Sequence, residues 1–272
     1  MLFSPVSLCL GHPRMKCGDG VVVGSDGAAT FCNISQTRIQ QPVRKLSIID
    51  GNIIVGASGP IGIGQAYAFE IGRLSKAGNF KKNPEKILSD IRAAVWPYVE
   101  KEWKGAEVAG KVIGPQVAQS AFSYAVVAMS FSDRGSLFQF NHQCSPEEAA
   151  KDLPFIAIGS GQHLADPFLA FLRRIFWPKT LPILPEGILA TMWSLEHAIL
   201  TNAGGVSRPI QIITLSKGKD GKGWAVTELS EEDLGEHRQN MLDAEQALAN
   251  CRKGQQAASE DAVAPPPMPP PA

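Results

Sequence analysis

The sequence lacks any long hydrophobic run. No stretch approaches the roughly 18 consecutive apolar residues of a membrane-spanning helix, so no such helix is expected. Residues 1–11 are apolar, but they lack a basic region and carry Pro5 near their centre, which argues against a secretory signal peptide. These absences predict a cytoplasmic protein without a membrane partner.

The sequence also lacks an excess of charge of either sign, because Lys and Arg total 26 and Asp and Glu total 26. Proteins that hold a polyanion through bulk charge carry a surplus of basic residues, so nucleic acid is not an expected partner. A net charge of zero leaves little electrostatic repulsion between copies of the chain, which is compatible with a homo-oligomer.

Patterns typical of disulfide frameworks, metal sites and phosphate loops are missing. The five cysteines are odd in number and form no CxxC pair, which predicts reduced thiols in a cytoplasm. The five histidines show no ligand spacing, so neither a metal nor another cofactor is expected. The glycine-rich stretch 59–64 lacks the Gly-Lys-Ser/Thr ending of a phosphate-binding loop.

The spacing of apolar residues predicts strands, two helices, strands, two helices, strands and a final helix. A short strand over 7–11 is expected before a hairpin loop over 12–19 and a strand over 20–26. The first helix is expected over 61–76, with Phe69 among its buried positions. Blocks of this kind indicate an α+β fold in which helices pack on the outer faces of sheets.

Two ionisable residues of opposite charge stand at strand ends between Gly20 and Gly59. Asp26 comes where one apolar run stops, and Lys45 begins the next run. An Asp-Gly turn at 50–51 then returns the chain to a cluster of small residues that ends at Gly59. Because loops at strand ends often carry function, the pair is either catalytic or a plain ion pair.

Four short motifs between Gly20 and Gln162 occur in an order that is shared with a known family. They are Gly20–Thr30, Val43–Lys45, Ser58–Gly59 and Ala157–Gln162. Together they resemble the proteasome β-type subunits and the bacterial proteasome homologues, which are members of the N-terminal nucleophile hydrolase superfamily. The resemblance implies a four-layer αββα sandwich, in which two antiparallel sheets are flanked by helices.

The resemblance also divides the chain into segments. It implies a leader over 1–6 that is cut away and a proteasome-like αββα domain over 7–229. The polar residues at 230–233 could cap a helix, so a C-terminal helix is expected over 230–253. Residues 254–272 turn to Gln, Ala and Ser and then to a run of prolines, a composition that predicts a disordered or polyproline-like tail.

The catalytic roles are implied by the resemblance, residue by residue. In the family a lysine lowers the pKa of the nucleophile and of its α-amine, and an acid holds that lysine, so Lys45 and Asp26 match these roles. A backbone N–H at the glycine-rich turn stabilises the oxyanion, which indicates Gly59. Ser160 matches a supporting serine of the family.

The family's nucleophile is a threonine that begins the first strand, and no threonine stands there in this chain. Aligning the first strands places Ser7 at this position, with an enlarged loop after the strand. Counting back from Asp26 without an insertion reaches Leu10, which cannot react. Cys9 is a third alternative, and its thiol is the better nucleophile. Ser7 is the predicted nucleophile, which requires removal of residues 1–6.

The positions that match the family's substrate pocket are occupied by small or apolar residues. They are Ala29, Val43, Ala57 and Ile61. A roomy apolar pocket is therefore expected, suited to an apolar side chain next to the cleaved bond. Where the family has Asp and Ser before a Gly-Gly pair, this chain has Thr201 and Asn202 as substitutes.

The resulting hypothesis is a threonine-type-like endopeptidase subunit whose active sites line the chamber of a self-assembled ring. Its substrates would be peptides or unfolded proteins, and the resemblance allows an ATPase unfoldase as a partner. Two alternatives are a catalytically silent structural subunit of the same fold and an amidase of the same fold that acts on a small molecule.

Overall fold

The computed structural model describes residues 7–8, 14–32, 38–81, 84–115, 118, 120–131, 134–201, 205–218 and 223–261. These residues belong to two compact units, which divide between Ser230 and Glu231. Within these ranges the first unit holds all the strands and four α-helices, and the second unit holds one long helix.

The strands are numbered in chain order. They are β1 Ser7–Leu8, β2 Arg14–Lys16, β3 Gly20–Ser25, β4 Ala28–Cys32, β5 Arg38–Pro42, β6 Leu46–Ile49, β7 Ile53–Pro60, β8 Tyr124–Phe131, β9 Arg134–Phe140, β10 Pro146–Glu148, β11 Phe155–Ile156, β12 Gln211–Lys217 and β13 Trp224–Glu228. The helices of the first unit are α1 Ile61–Lys76, α2 Pro84–Ile113, α3 Gln162–Phe176 and α4 Leu184–Thr201.

The strands form two antiparallel sheets. The larger sheet has eight strands in the order β10-β9-β8-β7-β1-β4-β5, with β6 also paired to β7. The smaller sheet has five strands in the order β11-β2-β3-β12-β13. Strand β3 lies at the centre of the smaller sheet and is buried over its whole length, because both of its faces are covered.

Two apolar cores define the layers of the first unit. One core joins the inner faces of the two sheets, and its residues include Val21, Val23, Ile54, Val126, Ala128, Leu137, Ile213 and Leu215. The other joins the outer face of the larger sheet to α1 and α2, and its residues include Ile53, Val55, Tyr67, Ile71, Ile91, Val95, Val127 and Phe138. Helix α4 packs on β3 from the other side, and α3 packs on α4. The predicted αββα sandwich is therefore confirmed.

The first helix follows the predicted bounds, but its buried face differs at one position. Ile63, Tyr67 and Ile71 recur at helical spacing and are nearly inaccessible, so they direct this side of α1 to the core. Phe69 lies about half a turn away from that side and is 64% exposed. The prediction that Phe69 is buried was wrong, because its hydrophobicity outweighed its position in the helical period.

The predicted hairpin loop over 12–19 contains a strand. Arg14–Lys16 forms β2 and pairs with β3, with Met15 opposite Val22. The turn that joins them is tight, since the Cys17 N–H donates to the carbonyl of Gly20 at 2.8 Å. The loop prediction was wrong because Pro13 and Gly18, which are typical of turns, flank this short strand in the sequence.

The second unit contains helix α5, Asp233–Asp261. Acidic residues occupy its first turn, where they interact favourably with the positive end of the helix dipole. The helix continues past residue 253, so the segment 254–261, which composition assigned to a tail, is helical. Among all the described residues, no helix combines the length and the apolar character that a bilayer crossing requires.

Gly187 allows α4 to approach the smaller sheet closely. A Cβ atom at this position would lie 2.4 Å from Cys17 Sγ and 3.2 Å from Val22 Cγ2. The Cys17 thiol is itself buried, and burial raises its pKa well above the ordinary value. The helix and the sheet therefore meet without space for a side chain between them.

Replacing Gly187 by alanine tests this contact. The added methyl group would overlap Cys17 Sγ, so we expect the free energy of unfolding to fall by about 1–3 kcal/mol, although alanine favours the helix. Urea unfolding measures the change. The matched control is Gly105→Ala in α2, where nothing lies within 4 Å of the added carbon. A Gly187→Ala variant as stable as this control would contradict the close packing.

Candidate active site

The site is built around a buried ion pair between the ends of strands from different sheets. Asp26 follows β3 of the smaller sheet, and Lys45 precedes β6 of the larger sheet. Lys45 Nζ lies 2.7 Å from Asp26 Oδ1, and neither side chain has any exposed surface. The two residues that the sequence placed at strand ends are thus in direct contact.

The second carboxylate oxygen of Asp26 is held by the backbone. The N–H of Ala28 donates to Asp26 Oδ2 at 2.8 Å, and the N–H of Ser207 donates to the same atom at 3.2 Å. Donors on both oxygens, among them Lys45, Ala28 and Ser207, leave the carboxylate little freedom to rotate. The Lys45 ammonium is in turn aimed by a carboxylate that cannot move away from it.

Burial and hydrogen bonding act on the pKa of Asp26 in opposite directions. Removal from water raises the pKa of this carboxyl above its usual range. The Lys45 ammonium and the N–H groups of Ala28 and Ser207 lower it again, because each of them favours the ionised form. The charge state of the site therefore depends on keeping all of these donors in place.

The segment 207–209 is docked against the end of β3 by more than one contact. The Gly27 N–H donates to the carbonyl of Ser207 at 2.7 Å, and the Val43 N–H donates to the carbonyl of Gly27 at 2.8 Å. A Cβ atom on Gly27 would lie 2.6 Å from the carbonyl oxygen of Pro209. Only a glycine allows the two backbones to approach in this way.

Gly59 stands at the end of β7 in a conformation that other residues rarely adopt. Its φ is +103°, and a Cβ atom there would lie 2.3 Å from the carbonyl oxygen of Phe122. The strand turns at Gly59 with its backbone packed closely against Phe122, and α1 begins two residues later at Ile61. An oxyanion site requires a backbone N–H held in a fixed position, and this turn is the place where the chain could supply one.

A pocket of about 290 Å³ opens beside this turn. Its lining includes four of the predicted site residues, Lys45, Ala57, Gly59 and Ile61. The other lining residues are Arg44, Ser47, Val55, Gly56, Pro60, Gly64, Gln65 and Ala68. The walls are mostly small and apolar. Val43, predicted as a wall residue, is not part of this lining, and the side chain of Ala29 is outside the described part of the structure.

Ser160 lies just before α3. Its hydroxyl donates to the carbonyl of Gly205 at 3.3 Å. Gly205 precedes the segment that donates to Asp26, so this bond ties Ser160 to that segment. Thr201 donates to the carbonyl of His197 in its own helix at 2.6 Å, and Asn202 is outside the described residues.

Ser7 lies in β1, which belongs to the larger sheet. Its backbone pairs with Thr30 of β4 on one side and with Pro60 of β7 on the other, and Leu8 is opposite Gly59. In the smaller sheet β3 pairs with β2 and β12, so β1 is separate from the hairpin that β2 and β3 form. The Ser7 side chain, like Cys9 and Leu10, is outside the described part of the structure.

Sequence reasoning missed the contribution of the segment around Ser207. A backbone N–H leaves no mark in a sequence, so its bond to Asp26 could not be foreseen. It also missed the ion pair between Glu196 and Arg208, whose atoms Oε2 and Nη2 lie 2.6 Å apart. A signal for this pair was present, since Glu196 stands among the apolar residues of α4.

Comparison with known proteins gives one kind of match. No protein-family model matches the chain, and no curated protein matches it. The chain is similar to a solved structure of an Anbu (Gly-1) mutant from Hyphomicrobium sp. strain MC1, at 16% identity and a TM-score of 0.62, covering 91% of this chain and 99% of that one.

Two further solved structures have comparable identity and coverage. Anbu from Yersinia bercovieri, described as an ancestral beta-subunit, has 14% identity and a TM-score of 0.57, covering 95% of this chain and 99% of that one. The helical assembly of the Anbu complex from Pseudomonas aeruginosa has 15% identity and a TM-score of 0.62, covering 96% of this chain and 98% of that one.

The family assignment made from the sequence motifs was wrong. It named the proteasome β-type subunits and the bacterial proteasome homologues, whereas no family model supports it and the structural matches are Anbu proteins. One motif covers β3 and the start of β4, and the others lie at strand ends and turns, so they reported the geometry of the sandwich rather than one family within it. At this identity the likeness establishes the fold: the chain has the αββα sandwich of the Anbu structures.

Proposed function

We propose that the chain is a self-associating peptide-bond hydrolase that uses a nucleophile at a processed N-terminus. The observation that carries this proposal is the buried Asp26–Lys45 pair beside a pocket that contains Gly59. An ammonium held by a fixed carboxylate favours loss of a proton from a nearby hydroxyl or amine. A stable fold does not need such a pair, because replacing a buried ion pair by well-packed apolar residues often leaves the free energy of unfolding unchanged.

The reaction proceeds through an acyl-enzyme. The Ser7 hydroxyl attacks the substrate carbonyl, and the α-amine of Ser7 takes the hydroxyl proton directly or through a water. The Gly59 N–H stabilises the oxyanion. The carbon–nitrogen bond then breaks, and the leaving amine carries away the proton. Water hydrolyses the resulting ester and restores the free hydroxyl.

The position of β1 supports Ser7 in this role. Its backbone lies beside Pro60, and Leu8 lies opposite Gly59, so the strand runs along one edge of the pocket. Removal of residues 1–6 would leave a chain start at Ser7 next to this edge. The free amine and the hydroxyl of one residue would then stand together near the glycine turn.

The pocket favours an apolar side chain on the substrate. Ala57, Ile61, Val55 and Ala68 supply its apolar surface, and Gly64 leaves room between them. Assembly with other copies of the chain is supported by the Anbu complex from Pseudomonas aeruginosa, which is described as a helical assembly. A chamber closed by a ring and an ATPase partner stay predictions.

A catalytically silent subunit of the same fold is the second candidate. It is favoured by the complete burial of the Lys45 side chain, since the small exposed part of this pocket residue is its backbone. In this alternative the ion pair only joins the ends of the two sheets. The two candidates differ in what happens at the N-terminus, so that end of the chain decides between them.

The first test is the N-terminal residue of the purified protein and its activity on fluorogenic peptides. We expect a mature chain that begins at Ser7 and hydrolyses peptides with an apolar residue before the cleaved bond faster than small amides. Ser7→Ala should lower kcat/KM by at least about 100-fold. Loss of activity in Cys9→Ala but not in Ser7→Ala would assign the role to Cys9. An intact chain without hydrolysis would favour the silent subunit.

The second test separates the chemistry of the ion pair from its effect on stability. Lys45→Met alone removes the ammonium from a buried carboxylate, so the free energy of unfolding should fall by about 3–5 kcal/mol. Adding Asp26→Asn removes that charge, and the double variant should recover most of the stability. Urea unfolding and peptide hydrolysis are measured on both variants. A stable double variant that keeps its activity would contradict a catalytic role for the pair.

A further inference from the structure

A second buried carboxylate lies close to the site and has no role in the mechanism above. Glu196 on α4 has only 3% of its side chain exposed, and its Oε2 lies 2.6 Å from Nη2 of Arg208. Its other oxygen, Oε1, is also buried and finds no hydrogen-bond partner within the part of the chain that the structure describes. Arg208 is therefore the cation that holds this charge.

The residues on either side of Arg208 contact Asp26 and its neighbour Gly27. Ser207 donates its N–H to Asp26 Oδ2 at 3.2 Å and accepts the Gly27 N–H at 2.7 Å. Pro209, on the other side of Arg208, lies directly against Gly27. The segment forms no strand or helix of its own, so its position depends on these few contacts.

We infer that Glu196 is a positioning residue, which holds Arg208 and thereby keeps the backbone of Ser207 bonded to Asp26. A continuous chain of contacts then runs from α4 to Lys45. The catalytic consequence rests on the proposed function, because it requires the Asp26–Lys45 pair to serve the reaction. The positioning of the Ser207 backbone by Glu196 does not depend on the proposed function.

A purely stabilising role does not account for the pair. A carboxylate in an apolar environment costs desolvation energy, and a leucine of similar size in α4 would avoid that cost. Arg208 is 56% exposed along its side chain, so the pair is not a closed internal network. What the pair does provide is a fixed point on a rigid helix for a segment that lacks regular structure.

The effect on the reaction should fall on turnover. Without its anchor, Ser207 would withdraw its N–H from Asp26, and the carboxylate that aims Lys45 would lose one of its fixed bonds. The apolar pocket walls, Ala57 and Ile61, are on and next to β7 of the other sheet and would stay in place. Substrate binding is then preserved while the chemical step is slowed.

The test compares Glu196→Gln with the native chain by hydrogen exchange and by steady-state kinetics. We expect the amides of Gly27 and Ser207 to exchange about tenfold faster, because both bonds depend on the anchored segment. We expect kcat to fall about tenfold, with KM changed less than about twofold. In the chain that keeps Glu196, Arg208→Lys retains a cation at the exposed partner and should therefore retain slow exchange and most of the turnover. Arg208→Ala in the same chain should lose both.

Glu70→Gln is the matched control. Glu70 is also a buried carboxylate paired with an arginine, since its Oε2 lies 2.7 Å from Nε of Arg73, but it stands on α1. This variant should leave the exchange of Gly27 and Ser207 and the value of kcat unchanged. It therefore reports what the loss of a buried pair does to the fold in general.

The outcomes separate this inference from the proposed function. Suppose that the native chain is active. If Glu196→Gln then shows the same amide exchange and the same kcat as Glu70→Gln, the inference is overturned. Faster exchange with an unchanged kcat would overturn the catalytic part of it. If the native chain hydrolyses nothing, the proposed function fails by itself, and the exchange of Ser207 still decides whether Glu196 holds the segment against Asp26.

Discussion

One buried ion pair constrains the arrangement of the whole first unit. Asp26 and Lys45 come from different sheets, and their charged groups meet at 2.7 Å without access to water. Such charges are costly to bury unless their partners stay in place, so the sheet ends cannot separate without exposing an uncompensated charge. The backbone N–H groups of Ala28 and Ser207 also donate to the carboxylate. The two sheets are therefore joined by a buried charge pair at the end where the pocket opens.

Local signals made part of this site predictable. Asp26 and Lys45 stand where apolar runs stop and start, and Gly59 ends a cluster of small residues, so each could be placed at a strand end. The contribution of Ser207 was not predictable. It donates through its backbone, 181 positions away from its acceptor in the sequence, and any residue except proline has that N–H. Contacts of this kind follow from the packing of the finished fold.

The difference between local signals and contacts made by packing also explains why the fold was predicted correctly and the family was not. The order of strands and helices reflects local hydrophobic periods, which was enough to predict an α+β fold with helices on the outer faces of sheets. The four-layer form was implied by the resemblance of the motifs. Short motifs at turns mark places where the backbone must bend or come close, as Gly59 does against Phe122. Every chain with this sandwich faces those demands, so the motifs do not separate one lineage from another. Strand β2 was missed because three residues are too few to show a period.

The insertion of β1 between β4 and β7 has a consequence for any chain that starts there. In the described part of the chain β1 lies between these two strands, and Ser7 is paired with both of them. Newly made chain ends usually fray, because they lack neighbours on both sides. An end at Ser7 would instead arise already clamped between two strands, and the entropy of ordering it would have been lost when the sheet formed rather than at each turnover.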